Sequence, residues 1–516
     1  MDKTEKTNSK IILSIIANLG GKIFMLLQTI VIAYKFGANA DIDIFMYMMA
    51  LIIMLAAVGS AINQQVLVHS VINVRLSGSK ENTNRYISSN YINYVLIGLV
   101  VVSAFFFFRA EIFAVTTEFT VESLVENDMT VILLLGVMFF SVINAYLLDL
   151  FTAYKIFVLP MINDLIKSIL IILFVLVPGG AATVTIAALG MFAAYFLQFL
   201  VLNISFMKLT GFRFNLKRFR PEKGAKANIM FVVLAQLLIV VLGILTMKLK
   251  TGFSEGTYAA IENADKIYAM IYTVFIGQLT TVVGIHLIEA YTNKDYEKLN
   301  DSFSYYMRIA SYLLIPVCCV LLMNSELVIS ILFERGKYTQ DVVEITANCF
   351  KVLAVTIILR LMDAFVIRLI IVKQLQKSYF LYVALSNLAS VGFMLLLKDS
   401  IGYMSYPVGS FLGYLVYVVV LWSVFLRKEF DFIKIKPILS FFAVNIAINL
   451  FILAGAYKLD AFLPDAVTLF GKIGYIVIYA VVYMVIYFMI SLLYKQNRKI
   501  IFQTLPGISR FLQKNN

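Results

Sequence analysis

The chain has 516 residues, 61% of them hydrophobic and only 14% charged, with a formal net charge of +13. An ordinary soluble domain is about 45–50% apolar, so a water-soluble enzyme or binding module is excluded. The basic excess sits in short loops between apolar runs, where it sets membrane orientation and gives no reason to expect a nucleic-acid partner. Runs such as Val95 to Phe108 and Ile473 to Tyr494 are almost continuously apolar. A spanning β-barrel needs alternating segments of about ten residues instead, which leaves helices.

Apolar segments near the roughly 20 residues needed to cross a bilayer predict helices over 11–34, 44–70, 87–108, 129–153, 156–177, 182–207, 228–249, 257–290, 303–323, 343–371, 378–397, 402–426, 437–457 and 467–494. The fold class expected is therefore an all-α polytopic membrane protein of about 14 transmembrane helices. The polar start, MDKTEKTNSK, precedes an anchored first helix with no small-residue cleavage site, so no removable signal is expected. An even number of helices puts both termini on one side, and the loops of that side hold about 27 Lys and Arg against about 8 opposite. Positive-inside then places both termini in the cytoplasm. The basic loop after the sixth helix suggests an N-terminal six-helix lobe (1–207), a cytoplasmic loop (208–227), a second six-helix lobe (228–426) and an additional helix pair with a basic tail (427–516).

Ionisable residues inside spans are expensive and usually mark a pathway or an internal pair. Lys22 stands in the middle of the first helix, in GGKIF, with no acid within helical reach. The eighth helix carries Glu262, Asp265 and Lys266, where Glu262 and Lys266 have the i,i+4 spacing of a local ion pair. The tenth carries Lys351, Arg360, Asp363 and Arg368, so cations outnumber acids; Asp164 and Lys167 read as a structural i,i+3 pair. Lys22, Lys266 and Arg360 give a cationic set at membrane depth that suits a substrate with concentrated negative charge such as a diphosphate. Catalysis and ATP-driven pumping are not expected: only His69 and His286 are present, with no HExxH, GxxxxGK(S/T) or GxSxG, and no cofactor or metal is implied. Cys318, Cys319 and Cys349 lie in apolar surroundings without metal or disulfide spacing and read as packing residues.

Three stretches carry a resemblance: FGANADIDIF (Phe36 to Phe45) after a first helix with a mid-membrane cation, ENADKIYAMIYTVFIGQLTTVVGIHLIEAYTNKDYEKL (Glu262 to Leu299), and LFERGKYT (Leu332 to Thr339). Their order and spacing resemble the MurJ (MviN) lipid II flippases of the multidrug/oligosaccharidyl-lipid/polysaccharide exporter superfamily, over the whole chain. The resemblance implies two lobes around a cationic cavity, alternating access, and a lipid-tail groove formed with the last two helices. It makes Lys22 the counterpart of a cavity arginine, Asp43 the acid after FGA, and Lys266 the arginine of an ADR-like motif on the eighth helix, next to Asp265. Gln28 stands where the family usually has a second first-helix arginine, and the second helix is apolar around Ala56 where another is usual. The seventh helix offers Gln236 and no carboxylate, so no sodium site of the kind reported for some relatives is expected there.

The function expected is a transporter, not an enzyme: a flippase for an undecaprenyl-diphosphate-linked glycan precursor, lipid II or a related lipid-linked saccharide. The substrate-binding set is Lys22, Gln28, Asp43, Asp265, Lys266 and Arg360, the partners are that saccharide and membrane lipid, and a coupling ion is left open. The alternatives are an exopolysaccharide or O-antigen repeat-unit flippase of the same superfamily, a cation-coupled multidrug antiporter using Asp164 or Asp149, and a membrane scaffold.

Overall fold

The computed structural model describes residues 20–77, 79–156, 158–177, 183–217, 226–373, 375–460 and 468–504. The start of the first predicted helix, Arg218, Arg220 and Lys223 of the basic loop, and the end of the C-terminal tail lie outside these residues.

Every described element is helical. The long helices are α1 (20–36), α2 (Ala40–Ile62, carried on by a π turn Asn63–Leu67 and Val68–Ser77), α3 (Lys80–Phe107), α4 (Asp128–Ala153), α5 (Val158–Leu176), α6 (Val184–Thr210) and α7 (Lys226–Thr251). After them come α8 (Thr257–Tyr272, a π turn Thr273–Gly277, Gln278–Thr292), α9 (Tyr296–Met323) and α10 (Gln340–Val372). The last are α11 (Gln376–Ile401), α12 (Ser405–Val420, a π turn Leu421–Phe425, Leu426–Glu429), α13 (Ile435–Asp460) and α14 (Leu469–Ser491). Among the described residues ten helical runs are long and apolar enough to cross a membrane; one of them, Phe380–Glu429, folds back at Gly402 into α11 and α12. The segments α1, α8 and α10 carry the internal charges singled out from sequence.

Hydrocarbon gives no hydrophobic reward for helix association, so close packing must supply it. In the α11/α12 hairpin a Cβ on Gly409 would come within 2.8 Å of the Met394 backbone nitrogen. Only a residue without a side chain lets the two backbones approach that closely. The opposite requirement appears on faces turned outward: Val100, Phe107, Phe451 and Phe470 are exposed, as expected of lipid-facing positions.

Contacts divide the described residues into two compact units. One holds the residues up to Glu262 together with Arg335–Val342; the other holds Asn263–Glu334 and the residues from Val343 onward. The division falls inside α8, so α7 packs with the first six helices, chiefly on α2. The first unit is cored by Phe45, Met48, Leu134, Met138 and Ala187, and α4 touches α2, α3 and α6. In the second unit Phe303, Leu361, Phe365, Leu421 and Trp422 interlock, and Tyr483 and Tyr487 of α14 pack on Val320 of α9. Cys318 and Cys349 are buried free thiols and Cys319 is half-buried.

Candidate functional site

In the first unit the FGANADIDIF stretch forms a corner between α1 and α2. Asn39 caps α2, its side chain accepting from the Ile42 amide at 3.0 Å. Gly37 has φ 73°, a left-handed conformation suited to glycine. It also has no room for a Cβ, which would meet the Lys337 carbonyl oxygen at 2.5 Å. The LFERGKYT stretch is thereby seated on the same corner: the Lys337 amide donates to the Tyr34 carbonyl at 3.0 Å. Two of the three segments that carry the family resemblance therefore meet in one place, although about 300 residues separate them in the chain.

Asp43 has a structural task at that corner. It is buried, and its two oxygens accept from the Gly256 and Ala259 amides at 2.7 Å each. It thus satisfies donors at the start of α8, where a negative charge also meets the positive end of the helix. Nearby, Lys250 of α7 and Glu262 of α8 form an ion pair at 2.5 Å, with side chains only 5% and 13% exposed. Sequence spacing pointed to Lys266 as the local partner of Glu262. Spacing along one helix holds no cue to Lys250, which belongs to the preceding helix.

Lys22 on α1 is half-buried and has no ion-pair partner among the described residues. Gln28, two turns on, is also half-buried and makes no hydrogen bond among them. Asp164 and Lys167 form the i,i+3 pair expected, at 2.9 Å, with Gln198 donating to the same carboxylate oxygen at 2.9 Å. Asp149 is buried and accepts only from neutral groups, Ser60 Oγ at 3.1 Å and Asn63 Nδ2 at 3.0 Å, while Tyr94 donates to Asn63. Asn63 stands at the first position of the α2 π turn, a feature often found at functional positions.

In the second unit Arg360 of α10 sits in an aromatic cage. Its Nε donates to the Tyr268 hydroxyl at 2.9 Å, and its guanidinium carbon lies 3.9 Å from the Tyr414 ring centre and 5.9 Å from that of Tyr272. Cation–π contacts of this kind are worth about 0.5–2 kcal/mol. Asp363, one turn along, accepts from the Tyr417 hydroxyl at 2.5 Å. Arg360 therefore has no carboxylate at ion-pair distance among the described residues, and its two terminal nitrogens have no hydrogen-bond partner among them. On α8, Asp265 accepts from the Tyr406 hydroxyl at 2.9 and 2.7 Å, and half-buried Lys266 follows it. Tyr268 lies within electrostatic reach of Arg360, Asp265 and Asp363 together. The structure thus groups Arg360 and Asp265 about one tyrosine cluster. Lys22, Gln28 and Asp43 belong to the first unit.

Sequence reasoning missed the tyrosines. A signal existed: Tyr268 and Tyr272 are one turn apart on α8, and Tyr414 and Tyr417 share a face of α12.

A multi-pass membrane protein whose described elements are all helical and which holds a caged cation belongs to the class of transporters. Residues 32–473 match the family model for the lipid II flippase MurJ, and the chain belongs to that family, whose members reside in the bacterial inner membrane. A probable lipid II flippase MurJ of Treponema pallidum (strain Nichols) is 23% identical over 205 residues, 34% of this chain and 39% of the relative; the match thus spans well under half of that protein. Among solved structures, a lipid II flippase MurJ in an inward closed conformation matches with a TM-score of 0.77 at 16% identity, over 94% of this chain and 99% of the other. An inward-facing multidrug resistance MATE family transporter of the MOP superfamily matches with a TM-score of 0.61 at 16% identity, over 82% and 96%.

Proposed function

We propose that this chain flips a polyprenyl-diphosphate-linked saccharide, lipid II or a related lipid-linked glycan precursor, from the cytoplasmic to the outer face of the inner membrane by alternating access. Membership of the flippase family supports the reading, and the caged guanidinium of Arg360 carries it. An arginine propped by ring faces keeps its planar fork free for a phosphate, which it binds in bidentate fashion. Lys22 and Lys266 supply further point charges to the substrate, and Asp265 orients the cations of the second unit. In this reading both termini are cytoplasmic, and 1–207 and 228–426 act as lobes about the 208–227 loop. The last helix pair, 427–516, receives the lipid tail.

The test is translocation of a fluorescent lipid II and of a lipid-linked repeat unit by proteoliposomes. Charge-assisted hydrogen bonds are worth about 1.5–3 kcal/mol, so Arg360→Gln is expected to slow flipping by about tenfold or more, with Arg360→Lys between the two. Wild-type rates in Arg360→Gln would remove the proposal.

One observation favours a second reading, cation-coupled antiport. Asp149 is buried among neutral donors, so a proton or monovalent cation has a carboxylate to occupy. Efflux of a lipophilic cation that stops in Asp149→Asn, with lipid II unmoved, would select it.

A further inference from the structure

A cavity of about 560 Å³ lies at one end of the second unit, between the start of α9, the start of α13 and the short helix Lys495–Thr504 that follows α14. Its lining holds none of the residues proposed to bind the substrate's head group. Its wall includes Arg308, Lys434, Gln496 and Lys499 together with Asn300 and Asp301, so three cations share it with one carboxylate.

The frame of this cavity is built from specific bonds. Asn445 of α13 and Asn497 of the short helix exchange amide hydrogen bonds, at 3.1 and 3.0 Å, and both side chains are fully buried. Ile500 and Ile501 are buried on the same helix, whereas Lys495, Arg498 and Lys499 are exposed, giving it the two-faced pattern of a helix lying at a membrane surface. Asn300 accepts from the Lys434 amide at 2.9 Å and donates to one Asp301 carboxylate oxygen at 3.1 Å.

Two groups in this frame lack partners. Arg308 Nε and Gln496 Oε1 are buried and have no hydrogen-bond partner among the described residues, and the Arg308 guanidinium stands 5.9 Å from the Phe441 ring centre. A buried guanidinium nitrogen left unbonded is costly. Both residues line the cavity, so a rotation of either side chain would let an anionic oxygen accept from Arg308 and a hydroxyl donate to Gln496 Oε1.

We infer that this cavity binds the head group of an anionic glycerophospholipid, the phosphate on Arg308 with Lys434 and Lys499, and a head-group hydroxyl on Gln496. Three features select a lipid over free phosphate: the cavity sits at the helix ends, where head groups lie; the amphipathic helix forms one wall; and the volume exceeds what a lone phosphate fills. Basic pockets between transmembrane helices are a recurrent form of lipid head-group site.

The purified full-length chain in neutral detergent is titrated with short-chain phosphatidylglycerol and with phosphatidylcholine, binding being read by native mass spectrometry. Phosphatidylglycerol is expected to bind at least tenfold more tightly. That preference is expected to fall to within about twofold in Arg308→Gln and in the surface double variant Lys434→Gln/Lys499→Gln, which leaves the buried frame intact. An unchanged preference in the double variant overturns the assignment. So does displacement of phosphatidylglycerol by an equal concentration of inorganic phosphate. Flipping of lipid II by the double variant at the wild-type rate is compatible with the site and separates its fate from that of the transport proposal.

Discussion

Lys250 and Arg360 are both cations inside a helix bundle, and they are held in opposite ways. Lys250, in the first unit, closes on Glu262 at 2.5 Å, and that charge is consumed by the fold. Arg360, in the second, leans on Tyr268, Tyr272 and Tyr414 and has no carboxylate at ion-pair distance among the described residues. A buried ion pair contributes little net stability but is costly to break from one side. An aromatic cage stabilises a cation while leaving its charge for a ligand. Position in the membrane therefore does not identify a substrate-binding charge; what neutralises it does.

The sharpest way to break this contrast is Lys22, a first-unit cation with no ion-pair partner among the described residues. If it serves the substrate as Arg360 does, Lys22→Ala should abolish flipping while the protein inserts and melts normally; unchanged flipping would confine substrate recognition to the second unit. The next largest effect is expected at the closed pair. Glu262→Gln leaves Lys250 buried without its counter-charge and should cost about 3–5 kcal/mol, seen as a lowered melting temperature. Replacing both residues by Met should restore most of the loss. A Glu262→Gln protein of wild-type stability would mean the pair is not closed in the working protein.

Asp43 should behave as a cap, not as a ligand. Asp43→Ala frees two buried amides, each costing about 1–3 kcal/mol, so amide hydrogen exchange at Gly256 and Ala259 should accelerate. Asp43→Asn, which keeps one acceptor, should recover part of the protection. A loss of substrate affinity in Asp43→Asn without any change in exchange would return this residue to the binding set.

The smallest effect concerns a third kind of cation, Lys472 on α14, bound to Glu334 at 2.8 Å and to Ser330. The Lys472 ammonium and the Ser330 hydroxyl hold the Glu334 carboxyl below its ordinary value of 4.5. Because the folded value is depressed, the contribution to stability is complete above about 4.5 and fades as the pH falls through the folded value. The melting-temperature difference between wild type and Glu334→Gln should be level from pH 7 to pH 5 and shrink below that. A difference that grows with acid would reverse the assignment.

Composition and hydropathy made the helical membrane fold legible, since about 20 apolar residues in water have no other stable use. Ends were less legible: the second helix was read as 44–70 and runs from Ala40 through Ser77, because the cap at Asn39 and the polar first turn with Asp41 and Asp43 lie ahead of the apolar run. The site was legible in its charges and illegible in its partners. Lys22, Asp265 and Arg360 stood out because charge is rare in apolar sequence, whereas Tyr268, Tyr414 and Tyr417 are ordinary residues of an aromatic-rich span. Local spacing gave Asp164 and Lys167 correctly, since both lie on one helix. It had no access to Lys250 with Glu262 or Asp43 with Gly256, where the partners come from different helices.

The seating of Arg335–Val342 on the corner at Tyr34 and Gly37 bears on biosynthesis. A ribosome releases the N-terminal residues first, yet the first unit cannot be finished until about seventy residues beyond Glu262 have emerged and been inserted. A nascent chain arrested before Arg335 would hold its opening helices in the bilayer with their last contact missing. Such arrested chains should be cleaved by protease near Gly37, where the released full-length chain resists.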